Sequence, residues 1–209
     1  MNKVKIGILI SGRGSNMVSI AEGVKRGDIP AEISLVFSNL PETPGIEKAK
    51  NLGIETASFT HKGFSSREDF DRAVSVELDK RGIDLVCLAG YMRLLSPWFV
   101  GQYKNRIMNI HPALLPSFPG LDAQSQAFDW GVKVTGCTVH FVDEELDHGP
   151  IILQEAVPVK ENDTAESLTK RILDVEHRIY PKAVELFCRG LLTVKDRKVV
   201  ISGYERTER

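Results

Sequence analysis

What this sequence lacks rules out several classes of protein. No apolar run reaches the ~20 residues that a membrane-spanning helix requires, and the opening MNKVKIGILI has no long apolar core of the kind secretory signals use. Cysteine is scarce and odd in number. Cys87, Cys137 and Cys188 stand far apart in apolar or helical contexts, which fits reduced thiols better than a disulfide framework or metal ligands. Charge of one sign is missing too: the net charge is -1 and the basic residues are scattered, so no segment offers an electropositive track for a nucleic acid. Internal repeats, low-complexity tracts and interdomain linkers are also absent. With 42% hydrophobic and 26% charged residues the composition is that of a globular protein, expected in the cytoplasm without a membrane partner. The 209 residues allow one or two domains. The layout favours a single domain over residues 1–209, and both a monomer and a homodimer remain open.

What is present alternates. Lys3 to Ile10 is apolar at nearly every position, as a strand buried on both faces must be, and SGRGSN and an amphipathic run from Met17 to Arg26 follow it. Gly12 and Gly14 permit tight turns, and Ser15 and Asn16 are good helix N-caps. The unpaired N–H groups at that helix start, with the positive end of the dipole, predict an anion site for a phosphate. The pattern is neither GxxxxGK[ST] nor a full GxGxxG, so a monophosphate fits better than a triphosphate or a dinucleotide. A turn whose glycines serve geometry alone is the alternative. Further strands are expected at Glu32–Phe37, Ile54–Phe59, Asp84–Ala89 and Arg106–Ile110, with intervening helices at 46–52, from Ser65 or Ser66 to about 81 with a Ser65–Glu68 capping box, and after Ser96–Pro97. A helix with Asp122 as N-cap follows. Beyond it, Val134–Val142 and Ile151–Val157 read as an antiparallel pair, a long helix runs from Asp163 or Thr164 to about Cys188, and 191–201 suit a hairpin, with ERTER fraying at the end. The predicted fold is α/β: a single doubly wound, mostly parallel sheet flanked by helices, with an antiparallel edge extension near the C-terminal third.

The fifth strand ends in KNRIMNIHPALLPSFPG, where prolines and glycine stop any regular structure. Asn109 and His111 lie two apart there and so share one face of an extended backbone. That places an amide and an imidazole at the carboxyl end of a strand, where open α/β sheets bind ligands. A polar strand end capping a loop is the plain alternative. The apolar loop GYMRLLSPWFV after the fourth strand suits either a flat, partly apolar ligand or packing onto the next helix.

Taken together, SGRGSN, the NIHPALLP of Asn109–Pro116 and the VHFVDEELDHGPIILQ of Val139–Gln154 resemble the folate-dependent formyltransferases over nearly the whole chain. The resemblance implies transfer of a formyl group from 10-formyltetrahydrofolate, a cosubstrate rather than a tightly bound cofactor, to the amine of 5′-phosphoribosylglycinamide (GAR), in de novo purine (IMP) biosynthesis. It makes His111 the acid/base, Asn109 an oxyanion donor that also meets the folate, and Asp147 the acid that tunes the histidine. It places the GAR phosphate on Gly14, Ser15 and Asn16, and the GAR amine or ribose on Glu176. Folate contacts fall on Arg67, for a tail carboxylate, on Met92, Arg93, Leu94 and Leu95, for the pterin, and on Val100 as a pocket wall. On this reading 1–105 form a phosphate-binding half and 106–209 a catalytic and folate-binding half.

Two departures stand out. GLDAQS replaces a histidine-rich segment of some relatives, and His148 stands where others have glycine after the aspartate. His140, Asp147 and His148 match no standard metal spacing. Among related activities, transfer to methionyl-tRNA would need an RNA-binding domain and a basic surface, and a formyltetrahydrofolate hydrolase would carry an extra N-terminal regulatory domain. A phosphate-binding module without catalysis would need none of Asn109, His111 and Asp147.

Overall fold

Strand and helix alternate from the first residues. The computed structural model describes residues 3–203, and the predicted fraying of ERTER lies outside them. β1 (Val4–Ile10), β2 (Ala31–Ser38), β3 (Thr56–Ser58), β4 (Leu85–Leu88) and β5 (Ile107–His111) are joined by α1 (Ser15–Arg26), α2 (Pro44–Asn51), α3 (Arg67–Asp79) and α4 (Pro97–Gln102). Each ladder among these five strands is parallel. α5 (Ala123–Trp130) leads into β6 (Val134–Phe141) and β7 (Ile151–Pro158), which continue the sheet antiparallel to β5 and to each other. α6 (Ala165–Cys188) and the hairpin β8 (Leu192–Lys195) and β9 (Lys198–Ile201) complete the described chain, β9 pairing with β7.

Among the described residues the nine strands form one sheet in the order β3-β2-β1-β4-β5-β6-β7-β9-β8. The chain runs outward from β1 in one direction, then returns to build outward from β4 in the other. The β1/β4 junction is therefore the topological switch point, where loops diverge and leave a crevice. The predicted mixed α/β sheet is what forms, and the terminal hairpin extends it.

Alternation along β1 divides the core. Ile6, Ile8 and Ile10 face a cluster with Met17 and Ile20 of α1, Ile46 of α2 and the apolar stripe of α6, while Leu9 faces Phe70, Val74 and Leu78 of α3 and Phe99 of α4. Both faces of the central strands are thereby sealed, which is why their sequences are apolar throughout. No helix among the described residues is long and apolar enough to cross a membrane.

Local capping differs from expectation in three places. α1 is capped by Gly14 in the left-handed region (φ 66°) with no side-chain cap, so Ser15 and Asn16 lie inside the first turn. Their side chains are thus released for other contacts. Ser66, rather than Ser65, caps α3 by accepting from the Asp69 N–H, and Glu68 instead pairs with Arg72. Asp122 precedes α5 with φ 57° and makes no cap bond; its carboxylate accepts from the Ser125 hydroxyl.

Candidate active site

The phosphate-type loop is made of backbone. Gly14 packs so closely on the start of α2 that a β-carbon there would lie 2.9 Å from the Gly45 Cα, and the Gly45 N–H donates to the Gly12 carbonyl at 3.0 Å. Only glycine fits this approach with φ positive. The N–H groups of Ser15, Asn16 and Met17 have no carbonyl one turn back to pair with, so they form an open row of donors at the positive end of α1. Lys48 of α2 donates to the Arg13 carbonyl at 2.9 Å and adds a cation beside the loop.

Two neighbouring loops close the crevice. The Ser11 N–H donates to the Gly90 carbonyl at 3.0 Å, and the Met92 N–H donates to the Ser11 hydroxyl at 2.8 Å, joining the ends of β1 and β4. Beyond that junction Met92 and Leu94 are exposed, Met92 by 66%, whereas Leu95 and Val100 turn into the core cluster under α3 and α4. Val100 also borders a cleft of about 570 Å³ shared with Val142, Asp143 and Pro150 from the β6–β7 loop. Met92 and Leu94 do not line that cleft, but exposed apolar side chains of this kind are what a flat ligand would cover. Arg67 is exposed at the first position of α3 and forms no salt bridge among the described residues.

The second group of polar residues is made of side chains. Asn109 and His111 share one face of β5 as expected, and the antiparallel partner of Asn109 is His140 on β6. Asp147, from the β6–β7 loop with φ 49°, closes the group. One of its oxygens accepts from the Gly120 N–H at 2.8 Å and lies 3.3 Å from His111 Nδ1. The other lies 3.4 Å from Asn109 Nδ2 and 3.8 Å from His140 Nε2. Gly149 allows this loop its path, because a β-carbon there would collide with the Phe141 carbonyl.

Hydrogen-bond roles follow from what each partner can accept. His140 Nδ1 meets the Phe141 carbonyl at 2.8 Å, so that nitrogen carries the proton, and Nε2 accepts from the Asn109 amide at 3.2 Å. His140 is therefore a neutral ring, consistent with burial, which pushes its pKa down. His111 is only 3% exposed, and both its nitrogens face acceptors: the Phe118 carbonyl 2.8 Å from Nε2 and the Asp147 carboxylate on the other side.

Long helix α6 ties the two groups together. Glu176 accepts from the Asn16 side chain at 2.7 Å, and burial lifts its carboxyl to about 7. One turn later the Tyr180 hydroxyl reaches the Leu88 and Met108 carbonyls, each at 3.0 Å, at the end of β4 and inside β5. Helical spacing of four residues thus links the phosphate-type loop to the strand that presents Asn109.

Of the residues singled out from sequence, Asn109, His111 and Asp147 come together in one cluster, Asn16 meets Glu176, and Ser15 lies beside Asn16 at the helix start. Arg67, exposed at the start of α3, and the 92–95 segment make no hydrogen bond or ion pair with that cluster among the described residues. His140 is the member that sequence reasoning weighed only as a metal ligand. Its signal was an imidazole in an otherwise β-branched, apolar strand, and only pairing register reveals its partner.

The chain is similar to known proteins over nearly its whole length. The formyl transferase family profile matches residues 4–184. A phosphoribosylglycinamide formyltransferase of Escherichia coli is 42% identical over 200 residues, covering 96% of this chain and 94% of its own. The trifunctional purine biosynthetic protein adenosine-3 of Gallus gallus is 48% identical over 193 residues, but this chain spans only 19% of that longer protein. The crystal structure of glycinamide ribonucleotide transformylase 1 from Symbiobacterium toebii superposes with a TM-score of 0.93 at 50% identity, covering 95% of this chain and 94% of that one.

Proposed function

The chain belongs to the formyl transferase family, and from that premise we propose that it transfers a formyl group from 10-formyltetrahydrofolate to the amine of GAR, releasing tetrahydrofolate, within purine biosynthesis. The observation that carries the reading is the convergence of Asn109, His111 and Asp147 beside a backbone phosphate cradle, the two linked through Glu176 and Tyr180 of α6. A phosphate anchor alone would not require that buried polar cluster, and a proton-transfer site alone would not require the cradle.

On this reading the first turn of α1, from Gly14 through Ser15 to Asn16, holds the phosphate, and Glu176 receives the ribose or the amine. The pterin lies along the backbone of Met92–Leu95 against Val100, with Arg67 at the carboxylates of the tail. The nucleophile is the substrate amine, so the protein supplies orientation, oxyanion stabilisation and proton transfer. A bond forms from the amine nitrogen to the formyl carbon, the carbonyl oxygen becomes an oxyanion, and the bond to the folate nitrogen then breaks. Asn109 Nδ2 and the His111 ring are the donors for that oxygen. Each is already engaged, so a substrate must replace an existing partner. The 3.4 Å contact from Asn109 to Asp147 is the longest of these and the easiest to give up. The excess amine proton passes to the folate nitrogen through His111, or through water held by Asp147.

The two sequence halves share the site rather than dividing it. Arg67 and Met92–Val100 belong to 1–105, while Glu176, which meets Asn16, belongs to 106–209. Incubation with GAR and 10-formyltetrahydrofolate tests the proposal: formyl-GAR and tetrahydrofolate should appear in equal amounts. Release of formate from the folate alone, with no dependence on GAR, would overturn it in favour of a hydrolase.

A further inference from the structure

The loop after β4 and the start of α3 are far apart in sequence, yet a single buried carboxylate connects them. Asp71, on the second turn of α3, is 1% exposed, and its Oδ2 accepts the Ser96 N–H at 2.6 Å. Ser96 directly follows the Met92–Leu95 segment and caps α4 through its own hydroxyl. The preceding residue, Phe70, carries the Arg93 guanidinium over its ring at 4.4 Å. Thus adjacent residues of α3 hold both Arg93 and Ser96, fixing the segment between them at two points. The same helix begins with Arg67, one turn before Asp71.

Asp71 does more than fill space. Burial pushes its carboxyl up, while the Ser96 hydrogen bonds and the charges of Arg93 and Arg67 pull it back, so both cations act on the same group. Arg93 Nε and the Tyr91 hydroxyl are buried without partners, so besides the Met92 N–H bond to Ser11 the segment's polar hold on its neighbours runs through Ser96. Removing the carboxylate would orphan a buried N–H and leave the Arg93 contact with Phe70 as the remaining hold of α3 on the segment.

We infer that Asp71 is a positioning residue for the reduced folate: it locks the pterin-facing backbone of Met92–Leu95 to the helix that presents Arg67, so that both ends of the cosubstrate are read by one rigid unit. The inference rests on the assignment of Arg67 and Met92–Leu95 to folate made above. Asp71 itself touches no ligand. Its action is through Ser96 and the adjoining cations, in the way outer residues orient direct contacts at other sites.

Calorimetric titration of the full chain with tetrahydrofolate under anaerobic conditions, and separately with GAR, tests this, with thermal unfolding recorded for each variant. Asp71→Ala should weaken tetrahydrofolate binding by about tenfold or more, since the Ser96 N–H loses its acceptor. Asp71→Asn keeps an oxygen at that position and should lose about threefold, through charge alone. GAR binding and a cooperative unfolding transition should stay within about twofold of wild type, and in turnover the change should fall on KM for the folate. Unchanged tetrahydrofolate binding in a folded Asp71→Asn and Asp71→Ala pair would overturn the inference, as would parallel losses for both ligands, which would mark a merely structural role. Wild-type protein that binds GAR but no tetrahydrofolate would remove the folate assignment itself, an outcome distinct from either.

Discussion

The proposed phosphate cradle at the start of α1 and the Asn109–His111–Asp147 cluster are linked through α6 but are built from opposite materials. The cradle is backbone: N–H groups whose direction is fixed once α1 starts, with Gly14 allowing the approach to α2 and no side chain required to titrate. The cluster's members are side chains from β5, β6 and a loop, and their polar atoms take partners from one another and from the Gly120, Phe118 and Phe141 backbone. A backbone site tolerates loss of neighbouring side chains and fails when the chain path changes. A side-chain site keeps its path and fails when one member is removed.

The largest effect that would sharpen this contrast is expected at Asp147. Its two oxygens serve the Gly120 N–H, His111 and Asn109, so Asp147→Ala unties three groups at once. The formylation assay should show kcat lower by about 10³-fold or more, with KM for GAR nearly unchanged. Residual activity within about tenfold of wild type would mean that the cluster does not carry the chemistry.

The cradle should answer differently. Gly14→Val puts a branched side chain at φ 66° and against the Gly45 Cα, which forces the loop to move. KM for GAR should rise by about 30-fold while kcat changes much less, a pattern readable from initial rates. A fall confined to kcat would break the division proposed between anchoring and chemistry.

The same contrast explains what could be read from the letters. Gly12, Gly14 and the helix-forming run after them announce a strand–loop–helix anion site because its determinants are adjacent in sequence. The two-residue spacing of Asn109 and His111 gave their shared face for the same reason. Asp147 entered only through the resemblance, since nothing in the spacing of residues 109 and 147 brings them together. His140 stayed hidden because its role depends on the antiparallel register that sets it across from Asn109. Glu176, which alone looks like a solvated helix residue, is buried by the contact of α6 with α1, and its partner Asn16 was available only because Gly14 rather than Asn16 caps the helix.

pH separates the two regions more finely. Glu176 has its pKa raised from 4.5 to about 7 by burial, so the folded state holds its proton more tightly and this group's contribution to stability is lost as pH rises through about 7. His140 has its pKa lowered from 6.5 by burial, so its contribution is present above that value and is lost as pH falls. The two slopes oppose each other. Glu176→Gln keeps an acceptor for the Asn16 amide and removes the first slope, so Tm should rise at pH 8 relative to wild type, by an amount corresponding to at most about 3 kcal/mol. A Tm difference that does not change between pH 5 and pH 8 would show that Glu176 is not the titrating group.

The smallest effect belongs to the rim of the cluster. His148 follows Asp147, and its ring sits between the Asp143 carboxylate at 2.8 Å and the Arg197 guanidinium at 2.7 Å, a clasp between the β6–β7 loop and the terminal hairpin. All of this is partly solvated, where such contacts contribute about 1 kcal/mol or less. The Arg197 bond to the His148 carbonyl, at 2.7 Å, does not need the ring and would persist in His148→Gly. Asp147 would also retain the Gly120 N–H. His148→Gly should therefore change kcat by less than about threefold and lower stability by about 1 kcal/mol, partly through the added backbone freedom of glycine. If turnover instead fell by an order of magnitude while the fold survived, the solvated clasp rather than the buried contacts would be setting the position of Asp147, and the boundary of the side-chain site would have to be redrawn to include the terminal hairpin.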